Sequence, residues 1–385
     1  MKKLLVITTV PTTLESFLLP FAYHFRQKGW QVDGMAEGVS TSASCLQAFD
    51  RLWEVKWSRN PLDPRNFLVA PPVLREVMKQ GQYDLVHVHT PVAAFVSRYA
   101  LKDFRKEGKC QVIYTAHGFH FHPRGKALKN AIFLTLEKLA GAWTDYLIVI
   151  NREDEAAAKQ HHILPPERVC YMPGIGVDLN YYNPNTVSDL QIAQVREELG
   201  ITPANPLFLS AAEFIPRKHH RDIILAFAKL AKPEVHLALA GDGPLLPEMR
   251  QLAVDLGIKN QIHFLGERQD IPVLMRTCIA TLLASEQEGL PRSVMESLSL
   301  EIPVIGTKIR GTEELLAGGC GLLVEVGEIE ALTRSMNWIL EHPEDAQKMG
   351  KLGRARMATY SLPNVIQLHE NLYNSSLAKL ALKKD

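Results

Sequence analysis

The sequence predicts an α/β protein with two doubly wound parallel domains, and three observations carry this prediction. Short apolar runs alternate with amphipathic stretches along both halves of the chain, as expected where each strand is followed by a crossover helix. Residues 173–184, PGIGVDLNYYNP, interrupt the alternation with Gly, Asn and Pro, which is typical of a connection between domains. The length of 385 residues also exceeds that of one typical core.

The first half begins with a buried strand and continues in βα alternation, so we assign residues 1–183 to the first domain. Its apolar runs predict the strands Leu4–Thr8, Gln31–Met35, Leu85–His89, Val112–Thr115 and Tyr146–Ile150. Stretches with helical periodicity predict the helices Leu14–Gly29, which ends at a glycine, and Ala127–Ala142.

The second half repeats this alternation, so residues 184–361 are predicted to form the second domain. Residues 362–385 are predicted to be a helix that packs back on the first domain and is interrupted near Ser375 and Ser376. The predicted strands of the second domain are Leu207–Ala211, Val235–Ala240, Gln261–Leu265, Ile279–Ala284, Pro303–Gly306 and Gly321–Val324. The predicted helices are Ile223–Ala231, Leu245–Leu256, Pro272–Thr277, Pro291–Leu300, Thr312–Leu316 and Ile329–Glu341.

Composition excludes several classes of protein. With 46% apolar and 22% charged residues the chain is ordinary for a globular protein, and no apolar run approaches the ~20 residues of a membrane span. Five cysteines without a CxxC pair fit a reducing compartment and argue against a zinc site. Residues 1–185 hold 22 basic and 17 acidic residues, an excess that fits an anionic acceptor or membrane surface but is too small for nucleic acid.

The stretch from Ser285 to Thr307 carries the main functional signal. Glu288 falls in the loop after a predicted strand, and Glu296 lies on the short helix that follows. Free N–H groups at the start of that helix, with candidates at Gly289 and Leu290, suit a phosphate, and carboxylates suit sugar hydroxyls. The combination points to a nucleotide sugar, although two solvated glutamates at this spacing would be common by chance.

Four blocks of the second half resemble the retaining nucleotide-sugar glycosyltransferases of family 4. They read AAEFIPRKHHRDIILAF, ALAGDGPLLPEM, IHFLGERQDIPVLM and ASEQEGLPRSVMESLSLEIPVIGTKIRGTEELL. In the first half, YDLVHVHTP and YTAHGFHFHPRGKALKN look like the subgroup that builds capsule, exopolysaccharide and lipid-linked oligosaccharides. The resemblance implies the GT-B fold, in which two Rossmann-like domains face each other across a cleft.

The resemblance also implies roles for residues of the second half. Glu288 would lie near the donor hexose hydroxyls, Glu296 would bind the ribose, and Lys218 would contact the donor diphosphate. The family often has an arginine where this chain has Glu213, and Arg217 is the nearest replacement. The turn at Gly243 is expected near the nucleotide, although Asp-Gly-Pro is turn chemistry in any protein. Arg268 lies where the family approaches the base.

In the first half, the family places a histidine at the position of His117, near the donor sugar. With Lys218 and Glu288 it completes the catalytic set that the resemblance implies. The following loop is predicted to face the acceptor through Phe119, His120 and Arg124, and a solvated basic loop is the alternative. His87 and His89 share one side of a strand, and a strand end that lines the cleft is a better interpretation than a metal pair.

These features predict a retaining hexosyltransferase that moves a hexose or N-acetylhexosamine from a nucleotide sugar, expected to be a UDP-sugar. The acceptor is expected to be a glycan or a polyprenyl-diphosphate-linked sugar, and no metal or other cofactor is expected. The predicted location is the cytoplasm, at the inner face of the membrane. Two alternatives remain, a GT-B sugar-nucleotide epimerase and a non-catalytic protein that binds nucleotide sugars.

Overall fold

The computed structural model of the protein describes residues 1–122 and 125–384. The chain forms two compact units, one of residues Met1–Ile175 with the C-terminal residues from Asn364 onward, and one of Gly176–Pro363. The first unit ends at Ile175, inside the predicted connection 173–184 and eight residues before the predicted boundary at 183. Each unit has its own sheet and its own buried apolar core.

The first unit contains a seven-stranded sheet in the order β3-β2-β1-β4-β5-β6-β7, in which the paired strands are parallel. Val, Ile and Leu dominate the central strands because helices cover both faces of such a sheet. The strands are β1 Lys3–Ile7, β2 Gln31–Ala36, β3 Arg51–Glu54, β4 Leu85–His89, β5 Gln111–Ala116, β6 Tyr146–Val149 and β7 Val169–Tyr171.

The helices of the first unit connect these strands. They are α1 Pro11–Thr13, α2 Leu19–Gln27, α3 Ala43–Ala48, α4 Arg65–Leu68, α5 Ala70–Gly81, α6 Pro91–Lys106, α7 Ala127–Gly141 and α8 Arg152–Gln160. The helix predicted over Leu14–Gly29 is interrupted, because Leu14–Leu18 forms a π-helical turn between α1 and α2. Pro20 has no N–H to continue the regular α-helical ladder, which accounts for the wider turn.

The sequence gives no signal for β3 and β7, which the structure places at the two edges of the sheet. β3 has the sequence RLWE with exposed ends, and β7 is only three residues long. Both therefore lack the continuous apolar run that marks a strand buried on both faces.

The C-terminal helix Leu362–Lys384 is continuous, so the predicted interruption near Ser375 and Ser376 is wrong. Ser376 is buried, and its Oγ donates to Oε1 of Gln111 at 3.4 Å. This partner gives the hydroxyl an alternative to competing for the helix backbone. Tyr373, on the same helix, packs its ring against Phe25 and Trp30 of the first unit.

The second unit contains a six-stranded parallel sheet in the order β10-β9-β8-β11-β12-β13. Its strands are β8 Leu207–Ala211, β9 His236–Ala240, β10 Ile262–Gly266, β11 Ala280–Leu283, β12 Val304–Thr307 and β13 Gly321–Val324. Its helices are α9 Asp189–Glu198, α10 His220–Leu230, α11 Leu246–Asp255, α12 Ile271–Thr277, α13 Arg292–Ser299, α14 Thr312–Leu316, α15 Ile329–Glu341 and α16 Pro343–Met357.

Each sheet reverses its direction of winding once, between β1 and β4 in the first unit and between β8 and β11 in the second. At such a switch point, neighbouring loops leave the carboxyl ends of two strands in opposite directions and open a crevice where ligands bind. In the first unit this position is marked by Thr9 and Thr90, whose hydroxyls are 2.7 Å apart. In the second unit, the loops at the switch point are those after β8 and β11.

Candidate active site

Lys218 and Glu288 meet at the switch point of the second unit. Lys218 ends a 3₁₀ turn, Pro216–Lys218, after β8, and Glu288 lies in the loop after β11. The Nζ of Lys218 donates to Oε1 of Glu288 at 2.5 Å, and the two side chains are only 14% and 11% exposed. The backbone N–H of Glu286 donates to the carbonyl of Arg217 at 2.9 Å, which fixes the two loops against each other.

Arg217 adds a second positive charge to this pair. Its Nη1 is 3.5 Å from Oε1 of Glu288 and donates to the carbonyl of Gln287 at 3.2 Å. Its side chain is 44% exposed, so it can move more freely than Lys218. Glu213, at the position where the family often has an arginine, is exposed. The site therefore has two neighbouring cations that share one carboxylate.

Glu296 is a buried carboxylate on α13. Its Oε1 accepts hydrogen bonds from the hydroxyl of Tyr182 at 2.6 Å and from Nε of Arg292 at 2.7 Å. Burial raises the pKa of Glu296 against the opposing effect of Arg292. Arg354 supports the arrangement, because its Nη1 donates to the carbonyls of both Tyr182 and Ser299. The Glu296 carboxylate is thus held in one orientation from two sides.

Gly289 and Leu290 do not form the start of the helix, contrary to the prediction. The α13 helix begins at Arg292 after Pro291, which has extended backbone angles. Gly289 instead packs against Gly311, where a Cβ atom would lie 2.2 Å from the Gly289 carbonyl oxygen. Gly311 also has φ +78°, a conformation that favours glycine. Residues 289–290 therefore form a tight loop that is buttressed by the start of α14.

The turn that contains Gly243 packs against the loop after β8. A Cβ at Gly243 would lie 2.6 Å from the carbonyl oxygen of Phe214, and its φ of +150° is also one that side chains disfavour. The backbone N–H of Phe214 donates to the carbonyl of Asp242 at 2.8 Å. This turn therefore helps to set the path of the chain toward Lys218.

Arg268 is held by two acidic residues. Its Nη1 is 2.5 Å from a carboxylate oxygen of Glu198, and its Nε is 2.8 Å from one of Asp270. The predicted contact between Arg268 and a base would have to be made while these ion pairs persist, or after they open. A stacking contact of the guanidinium face meets the first condition.

Two buried hydroxyls lie beside the loop that carries Glu288. Ser285 and Thr312 are fully buried, and neither side-chain oxygen has a hydrogen-bond partner within the part of the chain that the structure describes. Buried polar atoms of this kind are uncommon and call for an explanation. They are two polar groups that a ligand in this loop region could engage.

In the first unit, His117 belongs to a buried cluster with His87, His89 and His369. Nδ1 of His89 is 3.0 Å from Nε2 of His117, and the rings of His87 and His89 are 4.1 Å apart. His87 also contacts the hydroxyls of Tyr373 and Thr115. Burial lowers the pKa of His117 and of His369 to about 4, and it lowers the pKa values of His87 and His89 well below the usual range.

This cluster predicts a loss of stability at mildly acidic pH. The folded state favours neutral histidines, so the unfolded chain binds more protons between about pH 6.5 and 4, and the unfolding free energy falls as the pH is lowered through that window. The slope is at most about 1.4 kcal/mol per pH unit for each histidine. Urea unfolding from pH 7.5 to 5.5 checks this, and tryptophan fluorescence is a suitable signal because four of the five tryptophans lie in the first unit.

The matched variant is His369→Gln, which removes one titrating group of the cluster. Unfolding of this variant should take up at most one proton fewer, so its unfolding free energy should depend less steeply on pH. A stability that does not change between pH 7.5 and 5.5, or a variant with the wild-type slope, would contradict the prediction.

The residues of the predicted acceptor loop differ in burial. Phe119 is buried and stacks on Phe121 at 4.7 Å, so its ring belongs to the core and does not face an acceptor as predicted. The apolar ring and its position after β5 account for this packing. His120 is exposed, with its ring 5.1 Å from that of Phe133. Arg124 lies outside the described residues.

Within residues 1–122 and 125–384, no group of three or more His, Cys, Asp or Glu side chains is arranged to hold a metal ion. His87 and His89 face each other within the histidine cluster described above. In the same ranges, no helix is both long and apolar enough to cross a bilayer.

With this geometry established, comparison with known proteins identifies the class. The family described as Glycosyl transferases group 1 matches residues 191–356, and the family described as Glycosyltransferase Family 4 matches residues 14–181. EpsD of Bacillus subtilis is 32% identical over 97% of both chains. The chain therefore belongs to glycosyltransferase family 4 and is a glycosyltransferase.

Three further comparisons add detail. An Escherichia coli enzyme named UDP-Gal:alpha-D-GlcNAc-diphosphoundecaprenol alpha-1,3-galactosyltransferase is 26% identical over 68% of each chain. The crystal structure of Anabaena HepE in complex with UDP superimposes with a TM-score of 0.80 at 22% identity, covering 97% of this chain and all of that one. WaaG, a glycosyltransferase of lipopolysaccharide biosynthesis, gives a TM-score of 0.73 at 17% identity, with coverage of 97% and 99%. The fold is GT-B, as predicted.

Three residues of the site were not predicted from the sequence. Arg292 could have been found, because it lies four residues before Glu296 on the same helix. Tyr182 is 114 residues from Glu296, and Arg354 is 172 residues from Tyr182. No local pattern links positions so far apart.

Proposed function

We propose that this glycosyltransferase moves a hexose or N-acetylhexosamine from a UDP-sugar to a polyprenyl-diphosphate-linked sugar or related glycan, with retention of anomeric configuration. The observation that carries the donor half of the proposal is the Lys218–Glu288 pair at the switch point of the second sheet. A cation and a carboxylate in one crevice suit the diphosphate and the sugar hydroxyls of such a donor.

The names of similar proteins support the choice of donor and acceptor. The E. coli relative is named as a transferase that uses UDP-galactose and a diphosphoundecaprenol-linked sugar. Structures of HepE are described as complexes with UDP and with UDP-glucose. The basic excess of residues 1–185 fits an acceptor that carries a diphosphate.

In the proposed reaction, the bond between C1 of the donor sugar and the β-phosphate oxygen breaks, and its electron pair remains with the departing UDP. The acceptor hydroxyl oxygen bonds to C1 from the same face, and its proton passes to an oxygen of the leaving diphosphate. Lys218, assisted by Arg217, stabilises the negative charge that develops on that diphosphate.

The remaining residues would orient the substrates. Glu288 accepts hydrogen bonds from donor sugar hydroxyls, Glu296 accepts them from the ribose, and His117 contacts the donor sugar. The proposed reaction uses no metal, because Lys218 and Arg217 supply positive charge to the leaving diphosphate. We place the enzyme in the cytoplasm, at the anionic inner face of the membrane where polyprenyl-linked acceptors are presented.

A donor panel followed by a transfer assay tests the proposal. UDP and UDP-sugars should raise the melting temperature more than GDP or ADP compounds do. Incubation with a polyprenyl-diphosphate-linked sugar should then yield a product whose anomeric configuration, read by NMR, equals that of the donor. An inverted product would contradict retention, and an epimerised donor formed without any acceptor would favour an epimerase instead.

A further inference from the structure

The first unit contains an apolar groove of about 450 Å³ that none of the site residues described above occupies. It lies between α4 with its preceding loop, the start of α6, and α7. The side chains that line it are almost all apolar and include Leu62, Phe67, Val92, Phe95, Ile132 and Leu136. Its volume is in the range of small-molecule sites, which are typically apolar with few polar groups.

The two charged side chains in the groove lining pair with each other, and Nη1 of Arg98 is buried without a hydrogen-bond partner among the described residues. Arg98 and Glu137 form an ion pair with an N–O distance of 3.1 Å, and Arg98 is almost completely buried. The hydroxyl of Tyr114 donates to the other carboxylate oxygen of Glu137 at 3.1 Å. Since these charges neutralise each other, the groove presents hydrocarbon and favours a hydrocarbon ligand.

Helix α7 has more apolar surface than its packing requires. Of its fifteen residues only Ala140 and Gly141 are buried, although leucine and isoleucine recur on it at helical spacing. Leu128 is 77% exposed and Ile132 is 52% exposed. An exposed apolar face of this kind marks an interaction surface.

The groove adjoins the predicted acceptor region. Pro91 and Val92, which belong to its lining, directly follow β4 and Thr90, close in the chain to His89, which contacts His117. Phe133, also in its lining, is contacted by the ring of His120 at 5.1 Å and by Nζ of Lys129 at 5.8 Å. A ligand could therefore place its anionic end near Lys129 and its tail among the apolar side chains.

We propose that this groove binds the first isoprene units of a polyprenyl-diphosphate-linked acceptor, an inference that rests on the proposed function. The concave shape selects a flexible chain over a flat bilayer surface, because a bilayer needs a protruding face. Lys129, whose Nζ lies 5.8 Å from the ring of Phe133 in the groove lining, complements the diphosphate to which such a chain is attached. Each methylene that the groove buries would strengthen binding about fourfold.

Calorimetry with two soluble probes, farnesyl diphosphate below its micelle concentration and inorganic diphosphate, tests the assignment. Farnesyl diphosphate should bind the wild-type protein at least about tenfold more tightly than inorganic diphosphate. Ile132→Glu places a charge in the groove and should abolish this difference. The matched control is Leu139→Glu, which alters a 50% exposed leucine on the same helix, outside the groove lining and away from Lys129, and should keep the difference.

Three results would overturn the proposal. The first is equal affinity of the wild-type protein for both probes. The second is an equal loss in both variants that tracks binding to anionic vesicles, which would make the face of α7 a bilayer contact. The third is a dimer that Ile132→Glu dissociates while farnesyl diphosphate does not bind. UDP affinity, measured on the same samples, reports on the proposed function separately.

Discussion

Replacing Lys218 by alanine is expected to lower kcat by about 10²–10³-fold, the usual cost of removing one preorganised electrostatic partner of a transition state. The Nζ of Lys218 is 2.5 Å from Glu288, and the two side chains are only 14% and 11% exposed. An ammonium held in this way stabilises the leaving diphosphate without reorganising during the reaction. UDP affinity should fall as well, because the same cation faces the phosphates in the ground state. Steady-state kinetics and calorimetry measure the two effects.

Arg217→Ala is the matched control for this variant. Arg217 is the next residue and has the same charge, but its side chain is 44% exposed and its guanidinium is 3.5 Å from Glu288. Solvent screening should make its loss cost about tenfold or less in kcat. If Arg217→Ala proved as damaging as Lys218→Ala, the two cations would share the diphosphate equally. If Lys218→Ala left kcat unchanged, the assigned role of Lys218 would be wrong.

The variant Glu288→Gln distinguishes contacts with the donor sugar from contacts with the phosphates. In the structure Glu288 neutralises Lys218, so removing its charge frees the ammonium for a phosphate. Affinity for UDP, which carries no sugar, should therefore stay the same or increase. Turnover should nevertheless fall, because an amide is a weaker acceptor for the donor sugar hydroxyls than a carboxylate is. Opposite changes in UDP affinity and kcat would be difficult to explain by misfolding.

Much of the fold follows from the sequence because parallel strands buried on both faces are continuous apolar runs. The strands Leu85–His89 and Leu207–Ala211 have the predicted bounds for this reason. Edge strands such as β3 have one side open and lose that signal. The π-helical turn before Pro20 and the unbroken C-terminal helix depend on local hydrogen bonds that periodicity does not report.

The candidate site was predictable only in part. Lys218 and Glu288 each lie in a loop after a strand, and the switch-point rule brings such loops together. Their ion pair required the structure, since the residues are 70 positions apart. Phe119 looked like an acceptor contact because it follows His117, whereas its apolar ring packs into the core. Adjacent loop residues can point in opposite directions, and sequence order alone does not distinguish them.

Glu296→Gln is expected to weaken UDP binding by about 10- to 100-fold, because hydrogen bonds to a charged group contribute roughly 1.5–3 kcal/mol. The variant keeps the volume of the side chain and an acceptor oxygen for Tyr182, so the protein should remain folded. Glu296→Ala would leave the buried Tyr182 hydroxyl without its acceptor and should also cost about 1–3 kcal/mol of stability. Calorimetry with UDP and thermal unfolding measure these effects.

The proposed contact between Glu296 and the ribose can be tested by changing the ligand together with the protein. If Glu296 accepts hydrogen bonds from the ribose hydroxyls, the affinity for a nucleotide without these hydroxyls should not change when the carboxylate is removed. Glu296→Gln should then bind 2′,3′-dideoxy-UDP almost as well as the wild-type protein does, while its affinity for UDP falls. Equal losses for both nucleotides would show that Glu296 acts through Tyr182 and Arg292 on the shape of the loop instead. The variant Tyr182→Phe removes one hydrogen bond to Glu296 but keeps the charge. Its affinity for UDP should lie between the affinities of the wild-type protein and of Glu296→Gln.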